Sequence, residues 1–177
     1  MRKILSLLPI PIIALCAFFV FSSPAIGLYN TESFIAPDGE SYVFGLKWGS
    51  LGNLNDEFNA PHGVAVDISG NIWVTDNVND RIIKFDSSGN FLLTIGSTGA
   101  GPGQLNGPEG IDVDTAGNIW VADYSNGRVQ KLNSLGQQLC QIAGLSGPEG
   151  VAVDRNTANV FISNIDGLVK SHFLITI

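Results

Sequence analysis

A sixteen-residue phrase occurs twice in this chain and a third time in looser form, and that repetition limits the possible folds more than any other feature. Pro61-His-Gly-Val-Ala-Val-Asp-Ile-Ser-Gly-Asn-Ile-Trp-Val-Thr-Asp76 returns as Pro108-Glu-Gly-Ile-Asp-Val-Asp-Thr-Ala-Gly-Asn-Ile-Trp-Val-Ala-Asp123. The third copy is Pro148-Glu-Gly-Val-Ala-Val-Asp-Arg-Asn-Thr-Ala-Asn-Val-Phe-Ile-Ser-Asn164. The first two copies are offset by 47 residues and the next by 40, the extra length lying in the Gly-rich stretch 96–107. Self-similarity at this period marks a repeat architecture, in which each unit buries its apolar face only by stacking on its neighbours.

Each copy reads as four short strands. Val64–Asp67 alternates briefly, and Asp67-Ile-Ser-Gly70 or Asp114-Thr-Ala-Gly117 then makes a tight turn. In such a turn the Asp side chain accepts from the turn backbone and Gly supplies the positive φ. The second strand is 71–75 or 118–122, rich in Ile, Val and Trp. The third is 81–85 or 128–132, and the fourth 91–95 or 138–142. Four antiparallel strands in 40–47 residues match one propeller blade.

Three segments resemble the NHL repeat: the Pro-x-Gly-Val/Ile-x-Val-Asp opening, the Gly-Asn-Ile-Trp-Val-x-Asp second strand, and Asn-Asp/Gly-Arg-Ile/Val-x-Lys in the third. The resemblance covers roughly 42–170 and implies an all-β propeller of four-stranded antiparallel blades. Residues 42–60 are expected to be a blade remnant, a fourth strand with its exit loop, followed by blades at about 61–107, 108–147 and 148–177. Closed propellers use four to eight blades. The expectation is therefore an incomplete propeller: truncated, stable as an open fragment, or completing its ring by self-association.

Ahead of the repeats, Arg2 and Lys3 precede an apolar run from Ile4 to about Ile26, with Ala25 and Gly27 placed as a small-residue cleavage site. Residues 1–27 thus read as an apolar helix, either a signal peptide or an N-terminal membrane anchor, with 28–41 as a linker. Both readings make the protein secreted or extracytoplasmic. Cleavage would leave Cys140 without an intramolecular partner, and its repeat position is that of Leu93, a small buried hydrophobe. A net charge of −7 with only nine Lys and Arg argues against nucleic acid, whose phosphates call for a basic face.

The residue after each leading Pro is His62, Glu109 or Glu149. First strands line a propeller's axis, so these three are expected to converge at the channel mouth. One imidazole and two carboxylates there form a candidate divalent-cation site. Otherwise they are polar residues rimming the channel. Asp76 with Arg81, and Asp123 with Arg128, are expected to bridge strands structurally, because the pair repeats where a catalytic pair would occur once. Trp73, Trp120 and Phe161 share one repeat position and read as inter-blade core. The functional expectation is a non-catalytic module that binds a protein, peptide or glycan through channel-mouth loops. The competing one is a metal-assisted lyase or hydrolase using His62, Glu109 and Glu149.

Overall fold

In the computed structural model, residues 33–35, 41–43 and 47–172 are described, with side chains from 47 to 167. The expected signal peptide or anchor at 1–27 lies outside the described residues. The chain divides into two units, 1–47 and 48–177. Within the first, β1 (Ser33–Ile35) and β2 (Ser41–Val43) form an antiparallel hairpin, so the described part of the expected leading strand is paired locally.

The second unit opens with β3 (Ser50–Leu51) and β4 (Glu57–Phe58), which pair in parallel across a short loop. Three antiparallel sheets follow. The first is β5 (Pro61–Val66), β6 (Ile72–Asp76), β7 (Arg81–Phe85) and β8 (Phe91–Ile95), paired in chain order. The second is β9 (Pro108–Val113), β10 (Ile119–Asp123), β11 (Arg128–Leu132) and β12 (Gln138–Ala143). The third is β13 (Pro148–Val153), β14 (Asn159–Asn164) and β15 (Gly167–His172). No α-helix occurs among the described residues, and none of their helices is long and apolar enough to cross a membrane.

The expected strands and the observed ones differ most at the start of each blade. β5 begins at Pro61 because Pro61 faces Asp76 across a break in register that resumes at Val64, an irregularity that alternation alone does not display. The turn after β5 is as expected. Gly70 has φ +81°, its N–H donates to the Asp67 carbonyl, and Asp67 Oδ1 accepts from the amides of Ser69 and Asn71. The third copy carries one more residue in this turn. Ala158 takes the left-handed conformation there (φ +56°), and its N–H donates to the Asp154 carbonyl.

Asp67 does more than close its turn. Its carboxylate also accepts from Trp73 Nε1 at 3.1 Å and pairs with Lys84 at 3.3 Å, while Lys84 Nζ sits 4.5 Å from the Trp73 ring centroid. Burial raises the Asp67 pKa, but the bonds from Asn71, Trp73 and Ser69 outweigh it and hold the group at about 2, below its ordinary 3.8. A depressed folded-state pKa contributes stability above the unfolded value and loses it as pH falls through the folded one. We expect the thermal midpoint to fall between about pH 4 and pH 2, with a shallower slope in Asp67→Asn across that window. Unfolding scans at stepped pH check this; equal slopes for the two proteins would refute it.

Side chains alternate along each strand, so every sheet has a front face toward the preceding sheet and a back face toward the next. Ala65 and Trp73 on the back of the first sheet pack with Ile111, Val113 and Val121 on the front of the second. Trp120, Ala122 and Val129 on the back of the second pack with Val151, Val160 and Ile162 on the front of the third. The core is therefore two inter-sheet layers. The first strands approach closest: a Cβ on Gly110 would lie 2.5 Å from the Glu149 carbonyl oxygen and 2.8 Å from Gly150 Cα. Only glycine lets the backbones meet there.

Candidate functional site on the first strands

Because β5, β9 and β13 stand side by side, the residues after their leading prolines form a row. His62 Nδ1 lies 3.8 Å from Glu109 Oε1, a pair that is ionic when the imidazole is protonated. Burial pushes the Glu109 carboxyl up, His62 pulls it down, and the negative charge of Glu149 raises it further; the net direction is upward. Glu149 is exposed, His62 is exposed, and Glu109 is partly covered between them. His62 thus stands at ion-pair distance from Glu109, and Glu149 is near enough for its charge to act on Glu109. Among the described residues, no group of three or more His, Cys, Asp or Glu is gathered closely enough to hold a metal ion.

The second constellation is committed to the fold. Asp123 is fully buried and accepts from Arg128 Nε at 2.7 Å, the Asn106 amide at 2.7 Å, Asn126 Nδ2 at 3.0 Å and Gln130 Nε2 at 3.1 Å. Arg128 also donates to the carbonyls of Gly101 and Gln104, tying the exit loop of the first sheet onto the second. Asp76 repeats the design with Arg81 Nε at 2.8 Å, the Asn59 amide and Asn79 Nδ2, and Arg81 donates to the carbonyls of Asn53, Leu54 and Glu57. Both carboxylates are fully buried, and these bonds commit the two pairs to holding the sheets and their loops together.

Trp73 and Trp120 are buried, which makes them core and not stacking platforms. Cys140 packs half-buried against the second layer, and burial pushes its thiol pKa up despite nearby Lys131. At the opposite end of the sheets a cleft of about 250 Å³ is lined by Asp114, Asn118, Trp120, Lys131, Val153 and Arg155. Its charges are largely paired already, Lys131 with Asp114 at 3.0 Å and Arg155 with Asp112 at 3.2 Å.

Sequence reasoning missed Thr75. It is buried, accepts from the Gly63 amide at 2.7 Å, and donates across the sheet boundary to the Glu109 carbonyl at 2.6 Å. The available signal was a hydroxyl at a position where the second copy has Ala122 and the third Ser163.

The NHL-repeat family profile matches residues 58–85 and 105–132, each spanning an exit-loop end through the third strand. The chain carries NHL repeats. No curated protein matches the sequence. Among solved structures, the chain is similar to a gluconolactonase from Xanthomonas campestris, with 20% identity and a TM-score of 0.54 over 79% of this chain and 43% of that one. It is also similar to the hydrazine synthase of Kuenenia stuttgartiensis, with 11% identity and a TM-score of 0.52 over 64% of this chain and 31% of that one. The chain thus spans less than half the length of either, and at these identities the likeness is one of fold.

Proposed function

We propose that this NHL-repeat chain is a non-catalytic recognition module, displayed outside the cytoplasm behind the apolar segment 1–27, that takes a protein or peptide partner at the His62–Glu109–Glu149 row. One observation carries the reading. The acidic side chains Asp67, Asp76, Asp112, Asp114 and Asp123 are spent on strand and turn bonds, whereas Glu109 and Glu149 sit at the mouth with no such bond shown. Two carboxylates on adjacent strands favour a partner bearing Lys or Arg, which the net charge of −7 also attracts over longer range.

Calorimetry with a hexalysine peptide tests this, with hexaglutamate and a neutral hexasaccharide as controls. Hexalysine should bind, more weakly at high salt, and Glu149→Gln should weaken it by up to about fivefold, the ~1 kcal/mol ceiling of an exposed pair. Saccharide binding would redirect the reading to a glycan, and no heat with any of the three would end it.

The competing reading, a lyase or hydrolase, draws on the 3.8 Å approach of Glu109 to His62, a carboxylate beside an imidazole that could act on a substrate as a proton-transfer group. Turnover of a sugar lactone that disappears in His62→Gln would favour it. We expect no rate above the uncatalysed one.

A further inference from the structure

Thr75 lies beneath the point where His62 and Glu109 meet. It is fully buried on β6, and its Oγ1 accepts from the Gly63 amide at 2.7 Å. The same hydroxyl donates to the Glu109 carbonyl at 2.6 Å; the Gly63 carbonyl, at 3.4 Å, is the poorer acceptor for its one proton. Gly63 directly follows His62, so a single hydroxyl ties the backbone beside the imidazole to the backbone of the carboxylate residue. Only a group with both a proton and lone pairs can serve a donor on one strand and an acceptor on the next.

The boundary between the second and third sheets shows what that hydroxyl adds. Glycine lets the first strands approach equally at both boundaries. A Cβ on Gly63 would lie 2.4 Å from the Glu109 carbonyl oxygen, and one on Gly110 would lie 2.5 Å from that of Glu149. Closeness therefore does not need Thr75. Ala122 stands at its place in the second sheet and offers no donor to the Glu149 carbonyl. What Thr75 fixes is the plane of the peptide after Glu109. Because that plane is rigid, a bond to its oxygen constrains ψ of Glu109 and so the direction in which the side chain leaves the strand. His62 and Glu109 are too exposed, at 45% and 21%, for their mutual attraction to order them strongly. The ordering comes from below.

We propose that Thr75 is the positioning residue of the row: its hydroxyl holds Glu109 toward His62, so that carboxylate and imidazole meet a partner as one preset pair. Thr75 itself touches no partner. Its importance for binding rests on the reading of the row as the recognition site, whereas its hold on Glu109 can be measured with no partner present.

Thr75→Val keeps the shape of the side chain and removes the hydroxyl. Thr75→Ala places there the residue that the second sheet already carries at 122. At least one of the two should keep the native circular dichroism spectrum. NMR titration of the Glu109 carboxyl carbon then reads the pair. The charges facing that carboxyl are His62, which lowers its pKa, and Glu149, which raises it. Loosening His62 removes the lowering influence, so the midpoint should move up in the folded variant. In a His62→Gln background the same substitution should leave it unmoved, since no partner charge remains to be lost. Thr75→Ser should restore the wild-type midpoint, because a serine hydroxyl makes the equivalent amide bond in the third sheet, from Gly150 to Ser163 at 2.9 Å. Hexalysine affinity should fall by up to about threefold in the variant without the hydroxyl and return in Thr75→Ser. An unmoved midpoint would overturn the proposal and leave Thr75 a bond between sheets. So would an equal rise without His62, or a Thr75→Ser that behaves like Thr75→Val. Absence of hexalysine heat from the wild type would end the recognition reading, while the titration still decides the role of Thr75.

Discussion

Asp123→Ala is expected to cost about 3–5 kcal/mol of folding stability, the range for breaking a buried ion pair by removing one partner. Deleting the carboxylate strands the buried Arg128 guanidinium and deprives Gln130 Nε2, Asn126 Nδ2 and the Asn106 amide of their acceptor. Arg128 and Gln130 are buried, so their donors cannot recover water without opening the sheet boundary. Asp76→Ala should cost less. Arg81 is more exposed than Arg128, and the position of Gln130 is held in the first sheet by Ile83, which has no bond to lose. Urea titration of both variants checks the ordering. A loss under about 1 kcal/mol for Asp123→Ala would mean that water reaches the site, and would reopen a chemical role for the pair.

Trp73→Ala should be comparably severe, about 3–5 kcal/mol, because it empties a large volume from the layer between the first and second sheets. The indole is 1% exposed and packs with Ala65, Ile82 and Leu105 from its own side and Ile111 and Val113 from the other. Trp73→Phe separates packing from polarity. The ring stays, as Phe161 does at the same place in the third sheet, and the Nε1 bond to Asp67 is lost for about 1 kcal/mol. Thermal unfolding distinguishes the two substitutions. Had Trp73 been a stacking platform, its removal would spare stability and damage binding, so a near-native midpoint in Trp73→Ala would refute the core assignment.

These expectations separate what is local from what is not. Strand positions, the Asp-x-x-Gly turns and the order of the sheets were legible because side-chain alternation and turn chemistry act over two to five residues. The pairing of Asp123 with Arg128 was legible for the same reason: β10 and β11 form a hairpin that places the two directly opposite. The third strand in the first two copies, 81–85 and 128–132, was read to the residue because polar turns bound it on both sides, 76–80 and 86–89 in the first copy and 123–127 and 133–136 in the second.

The start of β5 was not legible, since its pairing with Asp76 crosses a register break that leaves no trace in the alternation. Nor was the role of Thr75, whose bonding partner lies 34 residues away on a backbone carbonyl. The row of His62, Glu109 and Glu149 stands between these cases. The repeat predicted that His62, Glu109 and Glu149 would be neighbours, and the chemistry of their side chains was plain. How near they come, and that only His62 and Glu109 reach ion-pair distance, depends on strand spacing at Gly63 and Gly110 and on rotamers no periodicity specifies.

The sequence by itself determined the repeated antiparallel units, because a sixteen-residue pattern, one residue longer in its third copy, satisfies the same local physics each time. Val64 reads in that pattern as Ile111 does, and Ala152 as Ala65. Only the tertiary structure decided which member of each pair is covered, because burial belongs to whatever stands next to a surface, and identical repeat positions acquire different neighbours at the two ends of the stack.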